Sequence, residues 1–289
     1  MDYMEYLLFL QNLRNGALSV LNEPILFVSA FMGGAGGIAV MALVYWCLSK
    51  WAGALMLLNL SSAYMANETL KNIFCISRPF VRDPRLVPYV PASGYSFPSG
   101  HTMMGTAIYG SAAVWQRKRT WFVSLCVLMT LLTAFGRNWI GVHTPQDVLV
   151  GMMVSCMVIA ANLWIIRWIQ DDPKKEVLFL AACAVWTLVL LALIPSSGKV
   201  CGIYLGVITG LVIERRWIGF QVEGSVVRRA IFYVGGMAAV LAASKGLPLL
   251  LAPLGSKAAS LVENFLILLL VTAGWPAVMR LTNSRFFVK

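Results

Sequence analysis

The sequence predicts an all-α fold: a polytopic transmembrane helical bundle of about nine spans, with the N-terminus outside and the C-terminus inside. Three observations carry this. Of 289 residues, 59% are hydrophobic and only 12% are charged, where a soluble domain carries roughly 25% charged residues. Apolar runs of spanning length recur along the chain. Lysines and arginines gather in the short connections between those runs, more on one side than on the other.

The runs fall at about 25–48, 52–72, 100–116, 120–136, 147–166, 178–194, 199–213, 230–252 and 260–279. Several are shorter than the roughly 20 residues a straight span needs. Ahead of them, "MDYMEYLLFLQNLRN" begins acidic and lacks both a basic n-region and a nearby small-residue cleavage site, so it does not read as a signal peptide. Tyr3–Leu21 reads as an amphipathic interfacial helix or a short packing element, with a further span as the alternative.

The net charge of +11 follows largely from topology rather than from a nucleic-acid surface. One side carries Lys50, Arg117, Lys118, Arg119, Arg167, Lys174, Lys175, Arg215, Arg216, Arg228, Arg229, Arg280, Arg285 and Lys289. These outnumber Arg14, Lys71, Arg78, Arg82, Arg85, Arg137, Lys199, Lys245 and Lys257 on the other, so the first side is assigned to the cytoplasm. The six cysteines are scattered, without a CxxC pair, and read as free thiols.

Two punctuated stretches interrupt the apolar pattern. Ser77–Ser99 is rich in proline and holds Arg78, Arg82 and Arg85; Gly136–Pro145 holds Arg137 and His143. They connect spans two to three and four to five, so they share a side, the extracytoplasmic one. The only two histidines in the chain, His101 and His143, sit in or beside these loops. Taken singly, each has an ordinary explanation. "PSGH" is turn chemistry before a helix. "HTPQD" gives a helix start, with Thr144 as N-cap, Pro145 at the first position and Asp147 at the third.

Taken together, they point to phosphate. Lys71, Arg78 and Arg137 bring fixed positive charge to one membrane face, and arginine grips two oxygens at once. Ser99, Gly100 and His101 open the third span, and helix N-termini offer free N–H groups to anions. Two histidines can divide nucleophile and acid roles. No Cys/His or carboxylate set has metal spacing, which predicts chemistry without a metal or other cofactor.

Lys71-x6-Arg78-Pro79, Pro98-Ser99-Gly100-His101 and Arg137-x5-His143-x3-Asp147 together resemble the three-part signature of the type 2 phosphatidic acid phosphatase superfamily. That group includes lipid phosphate phosphatases, undecaprenyl diphosphate phosphatases, glucose-6-phosphatase and vanadium haloperoxidases. The resemblance covers about residues 50–166. The third part usually begins Ser-Arg, whereas this chain has Gly136-Arg137, a departure expected to remove one phosphate hydrogen bond. The resemblance implies that His143 is the nucleophile, forming a phosphohistidine, and that Asp147 orients its ring. It implies that His101 protonates the leaving oxygen and then activates water. Lys71, Arg78, Ser99, Gly100 and Arg137 would bind the phosphate.

Around the motif, Arg82 and Arg85 read as headgroup or solvent contacts, with a substrate-headgroup role as the alternative. "GYSF" at 94–97 and Trp139 read as interface anchors or entry-lining residues. Asn67 and Glu68 lie inside the second span near Lys71, and Glu263 and Asn264 inside the last.

The chain thus divides into an interfacial segment (1–24), a membrane phosphatase core (25–169) and additional C-terminal transmembrane helices without a motif (170–289). The resemblance implies a metal-independent membrane phosphatase acting on a phosphorylated lipid: a polyprenyl diphosphate, a phosphatidate-type lipid or a lipid A phosphate. Its setting would be a bacterial plasma membrane, with the site facing the periplasm or exterior and no nucleic-acid partner. A sugar-phosphate phosphatase of the glucose-6-phosphatase type and a lipid transporter on a phosphatase core stay open. Oligomeric state and the role of residues 170–289 are not encoded in any motif.

Overall fold

A computed structural model describes residues 2–33, 35–170 and 172–286. Among the described residues all regular secondary structure is helical, with no strand. It separates into two compact units, one built from Met1–Ile38 and Ser62–Asn162, the other from Ala39–Ser61 and Leu163–Lys289. The first takes in the expected interfacial segment, and the second takes in residues 39–61.

The first unit begins with α1 (Tyr3–Asn15) and α2 (Asn22–Phe31). The single span expected over 25–48 is divided: α2 ends at Phe31, and α3 (Ala35–Leu43) starts beyond the glycines at 33 and 34. Glycine is among the weakest helix formers, so a Gly-rich stretch is where a long apolar run breaks. Helix α4 (Lys50–Phe74) ends four residues before Arg78. Its exit runs through Cys75, which has a left-handed φ of 50°. Pro79 then opens a single turn, α5 (Pro79–Arg82), with Arg78 extended ahead of it, as proline demands of its predecessor. Lys71 and Arg78 therefore lie on either side of a chain break rather than along one helix.

Helices α6 (Gly100–Trp115), α7 (Thr120–Trp139) and the start of α8 (Pro145–Ile169) complete this unit. Small residues let α6 and α8 approach: Gly151 faces Ser99 and Met103, and Ser155 donates to the Met103 carbonyl at 2.6 Å.

The N-terminal residues are fastened to the loops. Arg14 is buried and donates to the Trp139 carbonyl at 2.8 Å and to the Val87 carbonyl. It thereby satisfies a carbonyl that the end of α7 leaves free. Trp139, expected to anchor at the interface or line the entry, is buried, its indole N–H on Asn22 Oδ1 at 2.9 Å. Arg82 lies over the Tyr3 ring, and the exposed Arg85 pairs with Asp83 and Glu5.

The second unit holds α9 (Pro173–Leu193), α10 (Gly198–Ile213), α11 (Val226–Leu251), α12 (Ser256–Leu269) and α13 (Trp275–Phe286). Glycines 198, 202 and 206 press α10 against the backbone of α12. A methyl group on each would fall 2.3, 2.3 and 2.6 Å from the carbonyl oxygens of Lys257, Leu261 and Phe265. Both series advance by four residues, so the two helices run parallel, with small residues permitting backbone contact as membrane helices favour. Wide π-turns at Val44–Leu48 and Leu270–Gly274 meet where Tyr45 and Trp46 donate to the carbonyls of Thr272 and Val271, each at 3.0 Å. Buried acids in this unit are paired: Glu214 with Lys50 at 2.7 Å, and Glu176 with Arg215 and Arg216.

Six helical segments among the described residues are long and apolar enough to cross a membrane, corresponding to the last six expected runs. A seventh crossing arises if the two helices within 19–48 count as one. Helix α4 is long enough but carries Asn59, Asn67, Glu68 and Lys71, and α6 has only 16 residues, so the nine expected runs do not all qualify. With these apolar helices the protein is an integral membrane protein.

Candidate active site

The loop before α8 sets the centre of the site. Gly141 adopts φ of 76°, a conformation glycine takes without cost. Asn138 fixes the loop by donating to the His143 carbonyl at 2.9 Å. Thr144 and Asp147 cap α8 reciprocally: the Thr144 N–H donates to Asp147 Oδ2 at 2.8 Å, and the Asp147 N–H donates to Thr144 Oγ1 at 3.3 Å. That same Oδ2 lies 3.5 Å from His143 Nδ1. One carboxylate oxygen thus serves both uses that the sequence pattern allowed, capping the helix and facing the histidine.

The opposite ring nitrogen, His143 Nε2, lies 3.3 Å from Arg78 Nη1. A guanidinium only donates, so Nε2 accepts and Nδ1 carries the proton. Arg78 is itself held by carbonyls: Val142 at 3.1 Å, Ser93 at 2.7 Å and Gly94 at 3.2 Å. Burial pushes the His143 imidazole down to about 3; the Asp147 hydrogen bond pulls the other way, and Arg78 and Arg137 add to the depression. The free protein therefore presents a neutral ring with its lone pair on Nε2.

Ser96 is fully buried between the two partners. Its hydroxyl donates to Asp147 Oδ2 at 2.6 Å and lies 3.3 Å from His143 Nδ1. Sequence reasoning misses it, because it falls within an aromatic stretch that reads as an interface anchor. The available signal is its place three residues before Ser99, in a loop that has to pack back on the site.

Ser99 is buried. Its N–H donates to the Asp147 carbonyl at 3.0 Å and its hydroxyl accepts from Thr102 at 3.0 Å. Asn67 reaches in from α4 to the Pro98 carbonyl at 3.0 Å and to Met103. It leaves no slack at Gly100, where a methyl group would lie 3.0 Å from Asn67 Oδ1. His101 follows on the first turn of α6, within electrostatic reach of Arg137, His143, Lys71 and Arg78.

Three elements supply the cations: Lys71 on α4, Arg78 just ahead of α5 and Arg137 on α7. Arg137 is buried, and its Nε has no hydrogen-bond partner. Lys71 is within reach of Arg78, Glu68, Asp147 and Arg137. An unpaired buried donor is costly, and Arg14 and Arg229 each carry one at Nε as well. Every residue singled out by the motif, Lys71, Arg78, Ser99, Gly100, His101, Arg137, His143 and Asp147, lies in the first unit. Arg82 and Arg85 are turned to other partners. No group of three or more His, Cys, Asp or Glu side chains among the described residues could hold a metal ion.

Gly136, the departure from the motif, has a steric reason. A methyl group there would lie 2.5 Å from Ser29 Cβ and 3.0 Å from Ser29 Oγ. Helix α2 fills the space that a serine at 136 would need.

Residues 52–174 match the PAP2 superfamily, and residues 198–284 match the PAP2 superfamily phosphatase transmembrane extension. Phosphatidylglycerophosphatase B of Escherichia coli (strain K12) is 29% identical over 89 residues, 29% of this chain and 35% of that protein. Undecaprenyl-diphosphatase BcrC of Bacillus subtilis (strain 168) is 35% identical over 94 residues, 32% of this chain and 46% of that protein. The chain thus spans less than half the length of either curated relative. A crystal structure of the first transmembrane PAP2-type phosphatidylglycerolphosphate phosphatase from Bacillus subtilis aligns with 58% of this chain and 84% of its own, at 20% identity and a TM-score of 0.45. The chain carries a PAP2 superfamily domain followed by that superfamily's transmembrane extension.

Proposed function

We propose that the protein is a membrane phosphatase that hydrolyses a phosphate monoester or diphosphate on a lipid at the extracytoplasmic face, through a phosphohistidine on His143. The observation that carries the reading is Arg78 Nη1 at 3.3 Å from His143 Nε2, with Lys71 and the buried Arg137, unpartnered at Nε, within electrostatic reach of Arg78. Three cations against the carboxylates of Asp147 and Glu68 keep the site positive, the complement of a phosphate anion. Relatives named for phosphatidylglycerophosphate and undecaprenyl diphosphate favour a lipid over a sugar phosphate.

In the first step the Nε2 lone pair attacks phosphorus. The P–N bond forms as the P–O bond to the leaving group breaks, and the leaving oxygen takes its proton from the imidazolium of His101, which the bound phosphate anion keeps protonated. Asp147 and Ser96 face the Nδ1–H of the ring, which becomes cationic as it is phosphorylated. In the second step His101 removes a proton from water, the water oxygen attacks phosphorus, the P–N bond breaks and inorganic phosphate leaves. Lys71, Arg78 and Arg137 hold the phosphoryl oxygens in both steps. The excess of basic residues in the opposite connections supports a site outside the cytoplasm. On this reading α4 and α6 also cross the bilayer, their polar residues turned to the site.

The test is phosphate release by the purified protein in detergent, with EDTA present, from undecaprenyl diphosphate, phosphatidylglycerophosphate, phosphatidate and glucose 6-phosphate. Release from a lipid that is lost in His143→Ala supports the reading. A preference for glucose 6-phosphate moves the substrate to the sugar class, and equal release from the variant overturns the mechanism.

A further inference from the structure

Among the described residues the His101 ring makes no hydrogen bond. That is unusual for a proton-transfer residue, because a ring without polar anchors relies on packing for its position. The close neighbour is Gly33. A methyl group there would fall 2.5 Å from His101 Cδ2, 3.1 Å from Nε2 and 3.2 Å from Cγ, distances at which one side must move. Gly33 sits in the turn after α2, its N–H on the Ala30 carbonyl at 3.1 Å.

That turn is itself fixed from both sides. Upstream, Ser29 and Ile25 of α2 pack on Gly136 of α7, next to Arg137; downstream, Gly37 lies against Ile108 of α6, two turns from His101. The segment is therefore pinned to the two helices that carry His101 and Arg137. It also precedes the region that matches the PAP2 superfamily, which begins at residue 52.

We infer that Gly33 is a positioning residue for His101: the bare backbone of the turn forms the wall that sets the ring edge against the leaving oxygen. This rests on His101 acting as the general acid. Any side chain at 33 pushes the ring away from the leaving oxygen while leaving His143 and the phosphate cradle in place. The loss should then depend on how much the leaving group needs a proton. An alkoxide does not depart unprotonated, whereas p-nitrophenolate does.

The test measures first-turnover release of the leaving group, with enzyme in excess, from dodecyl phosphate and from p-nitrophenyl phosphate. The wild type is compared with Gly33→Ala, His101→Ala and the double variant. His101→Ala should slow dodecanol release by about a hundredfold or more and nitrophenolate release far less. Gly33→Ala should show the same selectivity at about tenfold, and the double variant should match His101→Ala, because the added methyl group then has no ring to displace. Equal loss on both substrates in Gly33→Ala, no loss, or losses that multiply in the double variant would overturn the inference while leaving the mechanism standing. Equal loss on both substrates in His101→Ala would instead overturn the general-acid reading itself. If Gly33→Ala does not fold, the double variant decides: it folds when the imidazole is the obstacle, and its failure to fold counts against the proposed contact.

Discussion

Arg78 Nη1 lies 3.3 Å from His143 Nε2, while Asp147 Oδ2 and Ser96 Oγ face the other ring nitrogen at 3.5 and 3.3 Å. A donor on one side and acceptors on the other leave a single tautomer consistent with all three contacts. The ring is thereby set with its lone pair toward Arg78, the side on which the proposed reaction needs it.

The Ser96 hydroxyl should matter for turnover more than for binding. Ser96→Ala removes the 2.6 Å bond to Asp147 and one acceptor for Nδ1–H. Hydrogen bonds to charged groups are worth about 1.5–3 kcal/mol, so kcat should fall roughly tenfold to a hundredfold with KM little changed. Steady-state kinetics on the best lipid substrate check this, and a change confined to KM would contradict it.

Asp147 combines two duties on one oxygen, and they can be separated. Asp147→Asn keeps an acceptor for the Thr144 N–H but removes the charge that steadies the imidazolium. Its thermal stability should stay within about 1 kcal/mol of wild type, while activity falls by more than tenfold. Asp147→Ala should lose both. Melting and activity measured on the same preparations test the split.

The neutral state of His143 has a direct readout. With its value pushed down to about 3, the ring binds its second proton only as pH falls through that region, not near the ordinary value of about 6.5. The chain has only two histidines, so His101→Ala leaves one imidazole to observe. Nitrogen chemical shifts of 15N-labelled histidine in that variant should show the Nδ1–H tautomer unchanged from pH 8 to pH 5. A titration centred near pH 6 would contradict the burial argument.

Gly136 predicts a compensating pair. Gly136→Ser places its Cβ 2.5 Å from Ser29 Cβ, an overpacking that should cost about 1–3 kcal/mol. Adding Ser29→Gly opens the space and should restore much of the loss. Melting temperatures of both single variants and the double variant measure the coupling.

What the sequence made legible was the set of residues with fixed spacing. Arg137, His143 and Asp147 are tied by one helix end, one turn and one helix start, so their proximity follows from local geometry. The juxtaposition with Lys71, Arg78 and His101 was readable only because all the segments end on one face. Ser96 escaped because a serine among Gly, Tyr and Pro reads as turn chemistry, and its partner is 51 residues away. Arg14 looked like one more flanking charge, yet it is buried on carbonyls at 87 and 139. No local pattern announces such a contact. The glycines at 198, 202 and 206 drew no reading from the sequence, because the helix they face is set by tertiary packing.

The most direct test of the central claim is to trap the enzyme in mid-reaction. Protein mixed with 32P-labelled lipid substrate and quenched within a turnover should carry one acid-labile, alkali-stable phosphate per chain. The label should be absent in His143→Ala and should persist in His101→Ala, where the water step is slowed. Label that survives in His143→Ala, or turnover with no labelled protein under any quench, would contradict a phosphohistidine at this position.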